Sequence, residues 1–183
     1  MKQKIGYFGA IALPTVRLIA LSLFLGVSGF RADAVPLNQT TTPKSFADWC
    51  LNRANLPPDT RHTVDVLLRK AGTTECDRAN KQLSTLTKLW LDNNQIADIK
   101  PLSGLTNLSE LSLDNNQIAD IKPLSGLSNL SGLYLNNNQI ADLKPLSSLT
   151  KLEELRIGGN PIANKICPVK PESICNFSTT DSY

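Results

Sequence analysis

The chain has 183 residues, with 19 lysines and arginines against 16 aspartates and glutamates. This length suits one domain of ordinary size plus extensions. The net charge of +3 comes from the segment 1–34, which holds four basic residues and one acidic residue, so the rest of the chain is formally neutral and offers no electrostatic basis for binding nucleic acid or an anionic membrane surface.

The segment 1–34 has the organisation of a signal peptide. Basic residues at the start precede an apolar run over 18–30, which is shorter than the roughly 20 residues that a membrane-spanning helix needs. Ala32-Asp33-Ala34 then gives the small-x-small pattern that signal peptidase accepts. We expect cleavage after Ala34 and membrane contact through the signal peptide alone; an uncleaved anchor is the alternative.

The segment after a polar N-terminal tail is predicted to be helical. A short amphipathic stretch spans residues 46–51, and a proline pair then breaks the chain. Asp59 or Thr60 is expected to cap a second helix, which carries its apolar residues on one side and stops at Gly72. These helices would cover one end of the repeats that follow.

Three nearly identical 22-residue units come next. They read LTKLWLDNNQIADIKPLSGLTN from Leu86, LSELSLDNNQIADIKPLSGLSN from Leu108 and LSGLYLNNNQIADLKPLSSLTK from Leu130, and a fourth starts at Leu152 and breaks off. The pattern L-x-x-L-x-L-x-x-N-x-I resembles the leucine-rich-repeat family. Its continuation, D-I-x-P-L-x-x-L, is similar to the 22-residue class of bacterial internalin-type proteins. The resemblance covers residues 83–164 and implies a solenoid that serves protein interaction.

The strand of each unit can also be derived physically. Leu89 and Leu91 alternate with polar or aromatic residues, and this period of two predicts a short strand with one buried face. Identical strands must stack in parallel, about 4.8 Å apart, because each unit repeats the same path. No unit can cover its own wedge of aliphatic side chains, so stability comes from the neighbouring units.

The rest of each unit predicts a turn and a thin outer wall. Ile99, Leu102 and Leu105 are spaced by three, which is the period of a 3₁₀ helix and places 3₁₀ segments on the convex side. An asparagine follows each strand, and its amide is expected to bond turn backbone in its own unit and in the next one. These asparagines are Asn94, Asn116, Asn138 and Asn160.

The four cysteines flank the repeats in two pairs. An even number of cysteines in an exported chain favours disulfides. Three pairings are possible, and we expect Cys50–Cys76 before the repeats and Cys167–Cys175 after them. The second pair would close a tight hairpin that covers the last unit. A zinc site is the alternative, but the chain has no Cys-x-x-Cys and a single histidine, His62, which is expected on a helix.

The resulting fold class is α/β: a short leucine-rich-repeat solenoid with a parallel concave sheet, a 3₁₀ convex side and an N-terminal helical cap. The expected divisions are a signal peptide (1–34), a flexible N-terminal tail (35–44), an N-terminal cap (45–85), the repeats (86–165), and a C-terminal cap and tail (166–183).

Strand positions that face away from the core form columns across the concave sheet. They differ between units while the core positions hardly change, and an exposed tryptophan and tyrosine in one column are typical of a binding hot spot. Trp90 packed against the N-terminal cap is the alternative. Partner contact is therefore predicted for Lys88, Glu110 and Glu154; for Trp90, Ser112, Tyr134 and Arg156; and for Asp92, Asp114 and Asn136.

We expect a non-catalytic, monomeric protein, secreted, periplasmic or on the cell surface, that binds a protein partner on this face. No motif for a catalytic site, a phosphate loop or a calcium loop is present in the sequence, and no cofactor or metal is expected; a cation held by the aspartates is the alternative. The rival functions are a self-associating envelope protein and carbohydrate recognition. The small face favours a weak or multivalent interaction.

Overall fold

A computed structural model describes residues 43–178, so the signal peptide and most of the polar tails lie outside the described residues. Three helices precede a parallel sheet of five strands in the order of the chain. The helices are α1 (Phe46–Leu51), α2 (Pro58–Ala71) and α3 (Cys76–Ser84), and the strands are β1 (Lys88–Trp90), β2 (Glu110–Ser112), β3 (Gly132–Tyr134), β4 (Glu154–Arg156) and β5 (Cys175–Asn176).

The repeat sets the strand register. Leu89 pairs with Leu111, Leu111 with Leu133, and Leu133 with Leu155, and all four are fully buried. Burying each leucine side chain stabilises the fold by roughly 1.5–3 kcal/mol. A leucine can be buried in this way only if another unit packs on at least one side of its own. One hydrophobic core therefore runs through the whole stack, as predicted.

The convex side consists of 3₁₀ segments, which confirms the prediction from the spacing of three. Lys100–Leu102, Lys122–Leu124 and Lys144–Ser148 adopt this conformation, each with a proline in the first turn. A proline in the first turn costs no hydrogen bond, because an N–H at that position would have no partner inside the helix. Before each segment an aspartate accepts a hydrogen bond from the backbone N–H of the lysine at 2.9–3.0 Å.

The asparagine ladder is present, but it runs in the opposite direction to the prediction. The Asn116 amide donates to the carbonyls of Leu113 in its own unit and Leu91 in the preceding unit, both at 2.9 Å. Its Oδ1 accepts the N–H groups of Asn94 and Ile96, again in the preceding unit. Asn138 and Asn160 tie their units backward in the same way, whereas Asn94 in the first unit donates to the Asp92 carbonyl of its own unit.

The N-terminal helices close the first unit. Ser45 and Asp48 form a capping box at the start of α1, and the predicted disulfide Cys50–Cys76 joins α1 to α3. The two cysteines are 26 positions apart, and closing a loop of this size stabilises the fold by about 3.5 kcal/mol in the chain-entropy model.

The start of α2 differs from the prediction. The helix begins at Pro58, and neither Asp59 nor Thr60 caps it, because proline at the first position has its φ already set for a helix. Thr60 is buried and donates instead to the Asp98 carboxylate at 2.5 Å. Thr63 donates to the Asp98 carbonyl at 2.7 Å, so α2 is fastened to the first repeat.

The C-terminal cap also differs from the prediction. Cys167 and Cys175 form the expected disulfide, but the segment between them is no hairpin. Cys175 and Asn176 form a fifth strand that continues the sheet in parallel beside β4. The disulfide holds Cys175 near Cys167 after the repeat pattern has ended. β5 therefore pairs with β4 although it is not followed by the rest of a repeat unit.

Candidate binding face

The outward side chains of β1–β4 and of the residues just after them form the open face of the sheet, which the sequence predicts to be concave. Trp90 is half exposed on this face, with 50% of its surface accessible. It is in register with Ser112, which is in register with Tyr134. The two aromatic residues are thus two strands, or about 10 Å, apart. Trp90 is not enclosed by the N-terminal cap.

A bonded network occupies the β3–β4 part of the open face. The Tyr134 hydroxyl donates to Glu154 Oε2 at 2.8 Å, and Arg156 Nε donates to Glu154 Oε1 at 2.8 Å. The Arg156 guanidinium lies over the Tyr134 ring, 5.3 Å from its centroid, within the range of a cation–π contact. These three side chains hold one another in place.

Ionisation in this network follows from its contacts. Partial burial and the hydrogen bond to Glu154 raise the pKa of Tyr134 to about 12. Partial burial also opposes ionisation of Glu154, but the hydrogen bonds from Arg156 and Tyr134 outweigh it and lower the pKa of this carboxyl. At neutral pH the network therefore contains a neutral phenol, a carboxylate and a guanidinium.

Gly132 makes room for Tyr134, a role that the sequence analysis missed. A Cβ at position 132 would lie 3.3 Å from the Tyr134 hydroxyl oxygen and 3.3 Å from Glu110 Cγ. The ring therefore lies across the strand where other units carry a lysine or a glutamate. The signal in the sequence was a glycine two positions before an aromatic residue in a variable column.

The β1–β2 part carries an ion pair and the exposed tryptophan. Lys88 Nζ lies 2.6 Å from Glu110 Oε1, and this pair joins the first two strands beside Trp90. Lys88 is exposed and Glu110 is half-buried. Exposed pairs of this kind stabilise a fold by about 1 kcal/mol at most, so the pair mainly sets the position of the two charges.

A second polar ladder runs along the strand ends. Asp92 Oδ1 accepts from the Asp114 N–H at 3.0 Å and from the Ser112 hydroxyl. Asp114 accepts from the Asn136 N–H at 2.6 Å, and Asn136 Oδ1 accepts from the Gly158 N–H at 2.9 Å. Every bond spans 20 or 22 residues, so this ladder also joins neighbouring units.

This ladder corrects two of the predicted contact residues. Ser112 and Asn136 were expected on the surface, but each has only 7% of its surface exposed, because each donates sideways to a neighbouring aspartate. The other predicted residues do lie at the surface. Lys88 and Trp90 are exposed, and half-burial is found for Asp92, Glu110, Asp114, Tyr134, Glu154 and Arg156.

The residues with reactive or metal-binding side chains serve the fold. His62 Nε2 lies 2.7 Å from the Asn94 carbonyl oxygen, to which it donates, and all four cysteines are in disulfides. Within residues 43–178, no group of three or more His, Cys, Asp or Glu side chains could hold a metal ion. No helix in that range has the length and apolar character to cross a bilayer.

A family model described as "Leucine Rich repeats (2 copies)" matches residues 84–126 and 128–171. These segments of the chain are leucine-rich repeats. The matched segments include strands β1–β4, the 3₁₀ segments between them and the start of the C-terminal cap. No curated protein matches the chain significantly.

The structure of this leucine-rich-repeat protein is similar to solved structures of internalins. The internalin InlF of Listeria monocytogenes is 29% identical with a TM-score of 0.53, over 68% of this chain and 42% of that one. The functional domain of InlJ from Listeria monocytogenes, described as including a cysteine ladder, is 28% identical with a TM-score of 0.51, over 66% of this chain and 25% of that one. An internalin C2 from the same organism is 42% identical with a TM-score of 0.49, over 55% of this chain and 44% of that one.

The chain spans less than half the length of each of these structures. The predicted relation to bacterial internalin-type proteins is confirmed, and the fold is that of a protein-interaction module. Its two disulfides are typical of proteins outside the reducing cytosol.

Proposed function

We propose that this leucine-rich-repeat protein is exported, has no catalytic activity, and binds a protein partner on the open face of its sheet. The observation that carries the proposal is the half-exposed Trp90. Aromatic residues are enriched among the residues that dominate binding energy at interfaces, and burying this ring against a partner removes apolar surface from water.

The contrast between buried and exposed strand positions supports the same face. The buried position stays leucine at residues 89, 111, 133 and 155, whereas the position before it changes from lysine to glutamate, glycine and glutamate. Stacking requires only the buried residues and the ladders. The outward strand positions vary more between units than the buried leucines do, which is consistent with a surface adapted to a partner.

The size of the face sets the strength of the interaction. A specific complex of standard size buries about 800 Å² on each partner. A sheet of five short strands about 4.8 Å apart is only about 20 Å wide, so its face barely supplies that area. We therefore expect a weak complex, or one strengthened by several contacts in parallel.

Self-association is the rival function, and the structure offers little for it. The edge strands of the sheet are β1 and β5, with three and two residues, and very short edge strands limit pairing between molecules. Sedimentation of the chain at increasing concentration should show a monomer. Concentration-dependent dimers or larger species would favour the structural function instead.

A matched pair of substitutions tests the proposed face. Trp90→Ala removes the exposed aromatic ring from the open face, and Leu51→Ala removes an apolar side chain that is 71% exposed on the N-terminal cap. Each full-length protein is immobilised and incubated with the extracellular fraction of the source organism, and captured proteins are identified by mass spectrometry.

We expect Trp90→Ala to lose at least about tenfold of any specific capture, as for other aromatic hot spots, and Leu51→Ala to keep it. Circular dichroism establishes that both variants are folded. Equal capture by Trp90→Ala and the unchanged protein would assign the binding site elsewhere.

A further inference from the structure

The open face contains two copies of one side-chain arrangement, an aromatic ring with a carboxylate and a cation. The first copy has all three groups, and the second copy lacks the cation. In the complete copy, β3 supplies Tyr134 and β4 supplies Glu154 and Arg156. Tyr134 is in register with Arg156, whose guanidinium lies over the tyrosine ring while Glu154 binds it at 2.8 Å. An aromatic ring, a carboxylate and a cation thus form one unit of three groups.

The second copy lies on β1 and β2. Trp90 stands where Tyr134 stands in the first copy, and Glu110 stands where Glu154 stands, because Lys88 pairs with Glu110 as Gly132 pairs with Glu154. The residue in register with Trp90 is Ser112, so the position of the arginine is taken by a serine. This copy has the ring and the carboxylate but no cation on the ring.

The surroundings of Trp90 leave this position ready for a cation. Lys88 is held on Glu110 at 2.6 Å, and the Ser112 hydroxyl donates to Asp92, which fixes a second carboxylate beside the tryptophan. Half of the Trp90 surface is exposed. A tryptophan face is the best of the aromatic side chains at attracting a cation.

We propose that the β1–β2 part of the open face binds an arginine or lysine side chain of the partner, placed on the Trp90 ring and against the Asp92 carboxylate. The partner would thereby supply the group that Arg156 supplies beside Tyr134. This inference rests on the proposed function, since it specifies the chemistry of the partner for the same face.

The charge of the face fits a basic segment. Its three columns contain four carboxylates and two cations, and both cations bind glutamates of the chain itself. An acidic segment would meet repulsion from the carboxylates, whereas a basic segment would be attracted, and such complementarity governs partner choice and association rate.

Two peptides that differ only in charge test this inference. One alternates arginine with glycine over ten positions, and the other has citrulline at each arginine position, which keeps the shape and removes the charge. Binding to the full chain is followed by NMR through the indole N–H signals of its two tryptophans, and the Trp90→Ala variant identifies which signal is which.

We expect the arginine peptide to shift the Trp90 signal in a saturable, salt-sensitive manner and the citrulline peptide to bind at least about tenfold more weakly. The signal of Trp49, the tryptophan in α1, should not move. Absence of binding by the arginine peptide, or equal binding by the citrulline peptide or by a neutral oligosaccharide, would overturn the inference.

Two variants and one control locate the site. Asp92→Asn removes the charge but keeps the ladder, because Asn136 already fills the same role with its amide oxygen; it should weaken arginine-peptide binding about threefold. Ser112→Arg should occupy the site with an internal guanidinium and abolish binding. Asp120→Asn, which removes an exposed carboxylate from the convex side, should have no effect.

If Ser112→Arg does not fold, the Asp92→Asn variant still tests the inference. Unchanged binding of the arginine peptide by Asp92→Asn would overturn it. The result is separable from the proposed function. Loss of natural partner capture in Trp90→Ala together with equal binding of both peptides would retain the open face as the binding site and reject a basic partner.

Discussion

The asparagines that follow each strand show how a single side chain can hold a turn. Asn116 has only 8% of its surface exposed, and its amide satisfies two carbonyl groups and two N–H groups of the turn backbone. Without it those groups would be buried without partners, and each such group costs about 1–3 kcal/mol. Asparagine fits because it has both donors and acceptors.

Replacing Asn116 with alanine should lower the free energy of unfolding by about 3 kcal/mol. The matched control is Asn129→Ala, since Asn129 is exposed and its amide makes two exposed hydrogen bonds, to the Thr106 carbonyl at 2.9 Å and from Lys151 Nζ at 2.8 Å. We expect the control to change stability by less than about 1 kcal/mol. Urea unfolding measures both, and equal effects would contradict a structural role for the ladder.

The Tyr134 hydroxyl predicts a specific pH dependence. Its pKa is raised to about 12 from an ordinary value of 10.0, so between these values the folded protein keeps a proton that the unfolded chain has released. Below pH 10 this group should therefore cause no change of the free energy of unfolding with pH. As the pH rises from 10 to 12, the free energy of unfolding should fall.

Ultraviolet absorbance titration of the folded protein should show a tyrosine component near pH 12. That component should be absent from the Tyr134→Phe variant. A titration in which the unchanged protein has no component above the ordinary tyrosine value would show that the bond between Tyr134 and Glu154 does not persist in solution.

At the scale of elements, the N-terminal cap is fitted to the first repeat and to no other. The start of α1 crosses the loop at Gly104, where a Cβ would lie 2.9 Å from the Lys44 carbonyl oxygen. The equivalent Gly126, one unit later, has no atom within 4 Å of such a Cβ. Two glycines in nearly identical sequence surroundings therefore have different roles.

Gly104→Ala should destabilise the protein by about 1–2 kcal/mol, because backbone must move to admit the methyl group. Gly126→Ala should be neutral or stabilise by up to about 1 kcal/mol, since it reduces the freedom of the unfolded chain. Thermal unfolding of the two variants compares them directly. A Gly104→Ala protein as stable as the Gly126→Ala protein would mean that the cap does not approach this loop closely.

At the scale of the whole molecule, the stack is periodic and its contacts are between neighbours. The Ser109 N–H donates to the Thr87 carbonyl at 2.7 Å, and the Ser131 N–H donates to the Ser109 carbonyl at 2.8 Å. Because these contacts recur from each unit to the next, one unit can be removed and the same contacts can form between the units that remain.

A chain that lacks the segment 108–129 should fold with a lower unfolding midpoint, because one interface between units is lost. A chain that lacks the segment 108–118, half a unit, should not fold, since the deletion brings unlike segments together and leaves the leucines of the stack unmatched. Circular dichroism and urea titration distinguish the outcomes. Cooperative folding of the half-unit deletion would contradict a stack held by this register.

The sequence by itself determined the repeat, the parallel strands and the 3₁₀ convex side. Each follows from spacing along the chain: a period of two for strands, a period of three for the outer wall, and one constant interval between equivalent positions of successive units. Such patterns are local, and a repeat converts local patterns into tertiary neighbours because every unit has the same neighbour.

The tertiary structure alone decided the features that break the period. β5 comes from a segment without the repeat pattern, Thr60 bonds to Asp98 rather than to its own helix, and Ser112 is covered. Each depends on contacts between residues that are far apart in sequence and share no motif. Spacing along the chain cannot specify such contacts, since their free energy arises only when the rest of the stack has brought the groups together.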